Sequence, residues 1–176
     1  MSNEQELLRL ASQLNTNALA EIYDIHSPGI YRYSMRLLGD MTLAEDCVAE
    51  TFARFLKSLQ EQRGPHDNLQ AYLYRIAHNW IVDLYRNNKE SVELTDVLRS
   101  ETDVPEEEAA KRIRQKQVRR AIRHLTPEQQ QVISLKYLDD WNNEEVARLM
   151  KKPVGAVKSI QHRALKSLYR LLAEKS

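Results

Sequence analysis

Apolar residues recur along this chain every three or four positions, the spacing of helices that each bury one face. Leu7, Leu8, Ala11 and Leu14 predict a short first helix. Leu19, Ile22, Tyr23 and His26 predict a second, stopped near Ser27-Pro28-Gly29. Ile30, Tyr33, Ser34, Leu37 and Leu38 predict a third that ends at Gly39. Thr42, with Glu45 three residues on, has the spacing of a capping box. The helix it opens carries Ala44, Cys47, Val48, Thr51, Phe52, Phe55, Leu56 and Leu59 on one face, and Arg63-Gly64-Pro65 breaks it. A helix opened by Asn68 sets Leu69, Leu73, Ile76, Ala77, Trp80, Ile81 and Leu84 inward. The period-two alternation of a half-buried strand is absent.

From Glu90 to Glu108 the stripe is lost, acids accumulate and Pro105 marks an element boundary. This stretch is expected to be a tether, with a structured surface loop as the alternative. Beyond it, Arg112, Ile113, Val118, Ala121, Ile122 and Leu125 outline a helix. Thr126, Pro127 and Gln129 form a box-like start for the next, with Val132, Ile133, Leu135 and Tyr137 as its apolar residues. Asn143-Glu144-Glu145 begin a short helix, and Lys151-Lys152 make a tight turn. Pro153-Val154 open a last helix with an inner stripe of Val157, Ile160, Ala164, Leu165, Leu168 and Leu172. A short helix, a tight turn and a longer basic helix form the helix-turn-helix pattern. The expected fold is all-α: two small helical domains, 1–89 and 111–176, joined by an acidic linker at 90–110, the second domain ending in a helix-turn-helix.

Charge sharpens this division. The 176 residues sum to +1, yet residues 1–95 carry 9 Lys/Arg against 13 Asp/Glu, and residues 111–176 carry 16 against 6. From Arg148 to Arg170 there are seven cations (Arg148, Lys151, Lys152, Lys158, Arg163, Lys166 and Arg170), and no acid falls between Glu145 and Glu174. At about 100° per residue, Lys158, Gln161, His162, Arg163 and Lys166 share the solvent side of the last helix. Arg and Lys suit phosphates and guanine edges, and Gln suits adenine. A merely solvated basic face is the bland alternative, but charge, turn and length agree on a polyanion surface.

Other chemistries find little purchase. A single Cys excludes a disulfide framework and a Cys-rich zinc site. His26, His66, His78, His124 and His162 are scattered, with no HExxH spacing, P-loop or nucleophile elbow. The pairs Asp139-Asp140 and Glu144-Glu145 are placed to favour a helix start rather than acid–base catalysis. No apolar run approaches the ~20 residues of a membrane span, and the first residues lack a signal-peptide pattern. The expectation is a soluble cytoplasmic protein without enzymatic activity, metal, cofactor or membrane insertion.

The stretches Leu125-Thr-Pro-Glu-Gln-Gln-Gln-Val-Ile-Ser-Leu-Lys-Tyr, Glu144-Glu-Val-Ala-Arg-Leu-Met and Pro153-Val-Gly-Ala-Val-Lys-Ser-Ile-Gln-His-Arg-Ala-Leu resemble region 4 of bacterial sigma-70 family RNA polymerase sigma factors, above all the extracytoplasmic-function (ECF) group. Asp46-Cys-Val-Ala-Glu-Thr-Phe-Ala-Arg-Phe-Leu resembles region 2.2. Leu69-Gln-Ala-Tyr-Leu-Tyr-Arg-Ile-Ala-His-Asn-Trp-Ile-Val-Asp-Leu-Tyr-Arg resembles regions 2.3 and 2.4. The order is the family's and nearly the whole chain is covered.

The resemblance implies a factor that binds core RNA polymerase and directs promoter-specific initiation. It assigns polymerase docking to Asp46, Glu50, Phe52, Arg54, Leu56 and Lys57, while Phe55 and Cys47 read as core. It assigns opening and recognition of the −10 element to Tyr74, Arg75, His78, Asn79, Tyr85 and Arg86, with Trp80 and Leu84 read as core. The loop Gln60–Asn68 falls where the family holds a flipped −10 base. Recognition of the −35 element falls to Lys158, Ser159, Gln161, His162, Arg163 and Lys166. Lys151 stands where the family often has Gly, Ala156 where a Thr is common and Ile160 where an Arg is common, so the preferred −35 sequence is left open. The implied partners are core polymerase, promoter DNA and, as a family trait, an anti-sigma factor. Two rival readings are a stand-alone helix-turn-helix regulator and a sigma-like adaptor that binds polymerase without promoter DNA.

Overall fold

The computed structural model describes residues 1–87 and 105–174, and among them it contains eight α-helices and no strand. These are α1 (Asn3–Ser12), α2 (Thr16–Leu38), α3 (Met41–Gln60), α4 (Leu69–Asn87), α5 (Glu106–Arg123), α6 (Pro127–Ile133), α7 (Asn143–Met150) and α8 (Val154–Ala173). A π-helical turn, Ser134–Leu138, prolongs α6. The chain forms two compact units, Met1–Ile81 with Arg148–Lys151, and Val82–Ala147 with Lys152–Ser176. Residues 90–104 of the expected tether lie outside the described residues. Glu106–Ala110, also assigned to it, are instead the opening turns of α5. Glu106, Glu107 and Glu108 there face the positive end of the helix dipole, which turns an acidic run into a helix start.

In the first unit α2 runs unbroken through Pro28, where two helices were expected. Proline removes one hydrogen bond and costs about 3 kcal/mol in a helix interior. Pro28 is exposed, and Ile22 before it and Ile30, Tyr33 and Leu37 after it are all buried on one stripe, so packing holds both halves in line. Gly39 ends the helix at φ 67°, the left-handed cap that glycine allows. The α3 cap is Asp40, which accepts the Leu43 N–H at 3.0 Å, rather than Thr42. Phe55, Ile22, Ile30, Leu37, Leu69, Leu73 and Ile81 close the core. Glu4 on α1 accepts the Leu69 N–H at 2.7 Å, tying the first helix to the start of α4.

In the second unit, Thr126 and Gln129 form the expected capping box, bonded at 3.3 and 3.2 Å. The buried Gln130 amide donates to the Arg123 and Leu125 carbonyls, both at 3.2 Å, and so satisfies the end of α5. The fully buried residues of α5 are Ala121 and Ile122, in its last turns. Ile113 and Val118, expected inside, are exposed. Asn142 and Glu145 cap α7 reciprocally at 2.8 and 2.9 Å. Asp139 is not a cap: it accepts the Trp141 indole N–H at 3.0 Å.

Candidate nucleic-acid and polymerase interfaces

Val157, Ile160 and Ala164 bury one side of α8 and thereby fix what the other side presents. Lys158, Ser159, His162, Arg163 and Lys166 are all exposed. Ile160 is core, which explains why a cation does not serve at that position. Ser159 Oγ donates to the Gly155 carbonyl at 3.1 Å, and Arg163 Nε to the Ser159 carbonyl at 3.4 Å. The turn before α8 passes through Lys151 at φ 55°. It is closed by Lys151 N–H to Arg148 C=O at 3.3 Å and Lys152 N–H to Ala147 C=O at 3.0 Å. A non-glycine residue there costs about 1 kcal/mol. Lys152 is drawn to Glu128 at 3.1 Å.

Gln161 differs from its neighbours. It is half-buried, its Oε1 accepts from Lys136 Nζ at 3.0 Å, and its Nε2 donates to the Tyr137 hydroxyl at 2.8 Å. Both halves of the amide expected to read a base are already engaged. Lys136 and the exposed Tyr137 come from the π-helical turn, which sequence reasoning passed over: nothing in the spacing of Leu135 and Tyr137 signals an extra residue in the turn.

On α4 the structure divides the expected −10 residues. Tyr74, His78 and Tyr85, expected on a DNA-facing surface, are buried in the free chain at 4%, 3% and 8% exposure. With Ile81 they occupy i, i+4, i+7 and i+11, a single stripe that coincides with the packed face. Tyr33 of α2 meets two of them: its hydroxyl is 2.8 Å from His78 Nδ1, and its ring lies edge-on to Tyr74 at 5.3 Å. A Cβ on Gly29 would sit 2.7 Å from the Tyr74 hydroxyl, so glycine there makes room for the ring. Arg75, Asn79 and Arg86 lie about 100° further round the helix, Arg75 half-buried and the other two exposed. Trp80 and Leu84, expected in the core, are half-buried at its rim.

On α3, Asp46, Arg54, Leu56 and Lys57 are exposed and Glu50 and Phe52 half-buried, whereas Phe55 and Cys47 are core as expected. Arg54 Nε donates to Glu50 Oε1 at 2.9 Å, a solvent-facing i,i+4 pair. Phe52 packs on Tyr23 of α2 at 4.8 Å, so the α3 surface extends onto a residue expected to face inward. Tyr23, Ser27, Pro28, Tyr31, Glu45 and Val48 line a groove of about 400 Å³ beside it. Burial pushes the Cys47 thiol up to about 11, so it stays protonated and inert. The Gln60–Asn68 loop, with Gln62 and Asn68 at φ 57° and 45°, borders a cavity of about 430 Å³ lined in part by Gln5, Arg9, Gly64 and His66. Among the described residues no group of three metal-ligating side chains occurs, and no helix is long and apolar enough to cross a membrane.

Comparison with known proteins extends these two surfaces. Residues 22–91 match the family model for sigma-70 region 2, and residues 115–168 that for sigma-70 region 4. The chain is 31% identical over 177 residues to the ECF RNA polymerase sigma factor BldN of Streptomyces coelicolor, an alignment covering 96% of this chain and 66% of BldN. It is 27% identical over 170 residues to the ECF RNA polymerase sigma factor SigW of Bacillus subtilis, covering 90% of both. The fold is shared with CnrH, solved in complex with the cytosolic domain of CnrY, at a TM-score of 0.68, 23% identity and 98% coverage of both chains. With region 2 and region 4 matched in order along the sequence, the chain belongs to the sigma-70 family of bacterial RNA polymerase sigma factors, in the ECF group.

Proposed function

We propose that this chain binds core RNA polymerase through α3, engages the −10 element with the exposed side of α4 and reads the −35 element with α8, acting in the cytoplasm. The observation that carries this is the exposed face of α8, where Lys158, Ser159, His162, Arg163 and Lys166 stand together behind a tight turn with no acid from 146 to 173. Phosphate contacts from such a face supply affinity that falls steeply with salt, and base contacts supply selectivity. On α4, Arg75, Asn79 and Arg86 are the residues that support a −10 role, since the aromatics beside them are spent on packing. On α3, the Asp46, Glu50, Arg54 and Lys57 charges flank the Phe52 and Leu56 side chains, a half-apolar surface suited to docking another helix pair.

CnrH is bound to the cytosolic domain of CnrY. For this chain a protein partner of the anti-sigma kind is proposed in the same way, as an occupant that competes with polymerase.

The test is in vitro transcription with purified core polymerase and a genomic promoter library. The expected result is a set of transcripts sharing −35 and −10 sequences, absent with core alone. Joint charge reversal at Asp46 and Glu50 is expected to weaken binding to core while circular dichroism is unchanged. Tight, sequence-specific binding by the free chain without any effect of core would instead support a stand-alone regulator.

A further inference from the structure

Gln161, Lys136 and Tyr137 form a closed arrangement whose chemistry can be read atom by atom. An ammonium only donates, so the amide atom 3.0 Å from Lys136 Nζ is the oxygen, and the amide nitrogen faces the Tyr137 hydroxyl at 2.8 Å. The hydroxyl oxygen therefore accepts from Gln161, and its own proton must point away from the amide. Lys136 Nζ uses one of its three N–H groups on Gln161 and sits 6.0 Å from the centre of the Tyr137 ring. Two ammonium N–H groups and the phenolic O–H are left over from these bonds, so the bracket offers an outside group a positive charge and several donors. An adenine edge needs a donor and an acceptor side by side, and the Gln161 amide that would supply them is turned to its neighbours.

We propose that Gln161 is a positioning residue rather than a base reader, and that Lys136 and Tyr137 form a binding site for a DNA backbone phosphate flanking the −35 element. An anionic ligand that only accepts matches a pair that carries a positive charge and free donors. Their place also fits: Gln161 is half-buried at the edge of α8, while the exposed Lys158, His162, Arg163 and Lys166 occupy the face proper. The proposal rests on the assignment of α8 to the −35 element.

The experiment uses the full chain with core polymerase on a promoter fragment selected by that holoenzyme. Binding is measured from low to high salt, alongside sequence selection from a randomised −35 pool. Lys136→Ala is expected to lower affinity for every sequence alike and reduce the log–log salt slope by about 1. Tyr137→Phe and Gln161→Ala are each expected to lose about 2- to 10-fold, again without changing base preference. The double variant is expected to be no worse than the weaker single, since the two act as one unit. Lys136→Arg should restore binding. The proposal is overturned if Gln161→Ala alters the preferred base at a −35 position while Tyr137→Phe does not, or if all three variants bind as the parent does. Arg163→Ala and Lys166→Ala, run in parallel, separate the two failures. If they lose binding and the bracket variants do not, only the bracket falls. If they too are unaffected, the assignment of α8 falls and the bracket with it.

Discussion

Helices α4 and α8 are nearly equal in length, 19 and 20 residues, and both were expected to present DNA-binding side chains. On α8 the expected cations are exposed, and only Gln161 is diverted. On α4 half of the expected residues, Tyr74, His78 and Tyr85, are buried. The difference lies in residue type. A run of Lys and Arg has no stable place in a core, so a cationic stripe predicts its own exposure. Tyr and His carry an apolar body and a polar tip, and they are equally useful for stacking on a base or for filling a core with one hydrogen bond satisfied. Tyr33 and Gly29 on α2 decide the matter for Tyr74 and His78: one supplies a partner, the other the space.

The largest effect expected from this contrast is on stability. Tyr74→Ala should cost about 3 kcal/mol in urea denaturation of the full chain, as removal of a buried aromatic does. Lys166→Ala should stay within about 0.5 kcal/mol, as for an exposed surface site. A stable Tyr74→Ala with a defect confined to promoter opening would reverse the reading of α4. Next comes Arg163→Ala, expected to change −35 preference at a cost of about 1–3 kcal/mol in binding, with the urea midpoint unmoved. If selection returns the parent's sequences, α8 positions the protein and does not read. Gly29→Ala comes third: crowding of the Tyr74 hydroxyl, only partly offset by better helix propensity, should destabilise by about 1 kcal/mol. Lys151→Gly should stabilise by about 1 kcal/mol, because φ 55° suits glycine; an unchanged urea midpoint would mean the turn relaxes.

The smallest effect concerns His26. Burial lowers its pKa from the ordinary 6.5, against an opposing pull from Glu4. The unfolded chain therefore takes up this proton at a higher pH than the folded one. Stability contributed by neutral His26 is present above pH about 6.5 and is lost as pH falls toward the lowered value. His26→Gln should flatten stability against pH in that window, and an unaltered slope would place the titration elsewhere.

Local signals were legible where the physics is local. The Thr126 box, the Gly39 stop and the Val157, Ile160 and Ala164 stripe of α8 depend on residues within one or two turns of each other, whereas Leu165, expected on that stripe, is exposed. The errors arose where distant residues intervene. Pro28 reads as a stop, but Ile22 and Ile30 are both buried and outweigh the lost hydrogen bond. Thr42 and Asp40 are both good caps, and the turn after Gly39 brings Asp40 into place. The bracket at Gln161 joins residues 24 and 25 positions apart, beyond the reach of any spacing rule.

By itself, then, the order of residues determined that the chain is helical, that its charge is divided between front and back, and that a basic helix follows a tight turn. Periodicity and charge set these directly, because a helix repeats every 3.6 residues and a cation seeks water. Only tertiary structure decided which of several amphipathic side chains are spent on packing and which meet a partner. Tyr74 and Asn79 stand five positions apart on one helix. One is buried and the other exposed because α2 covers a single face of it.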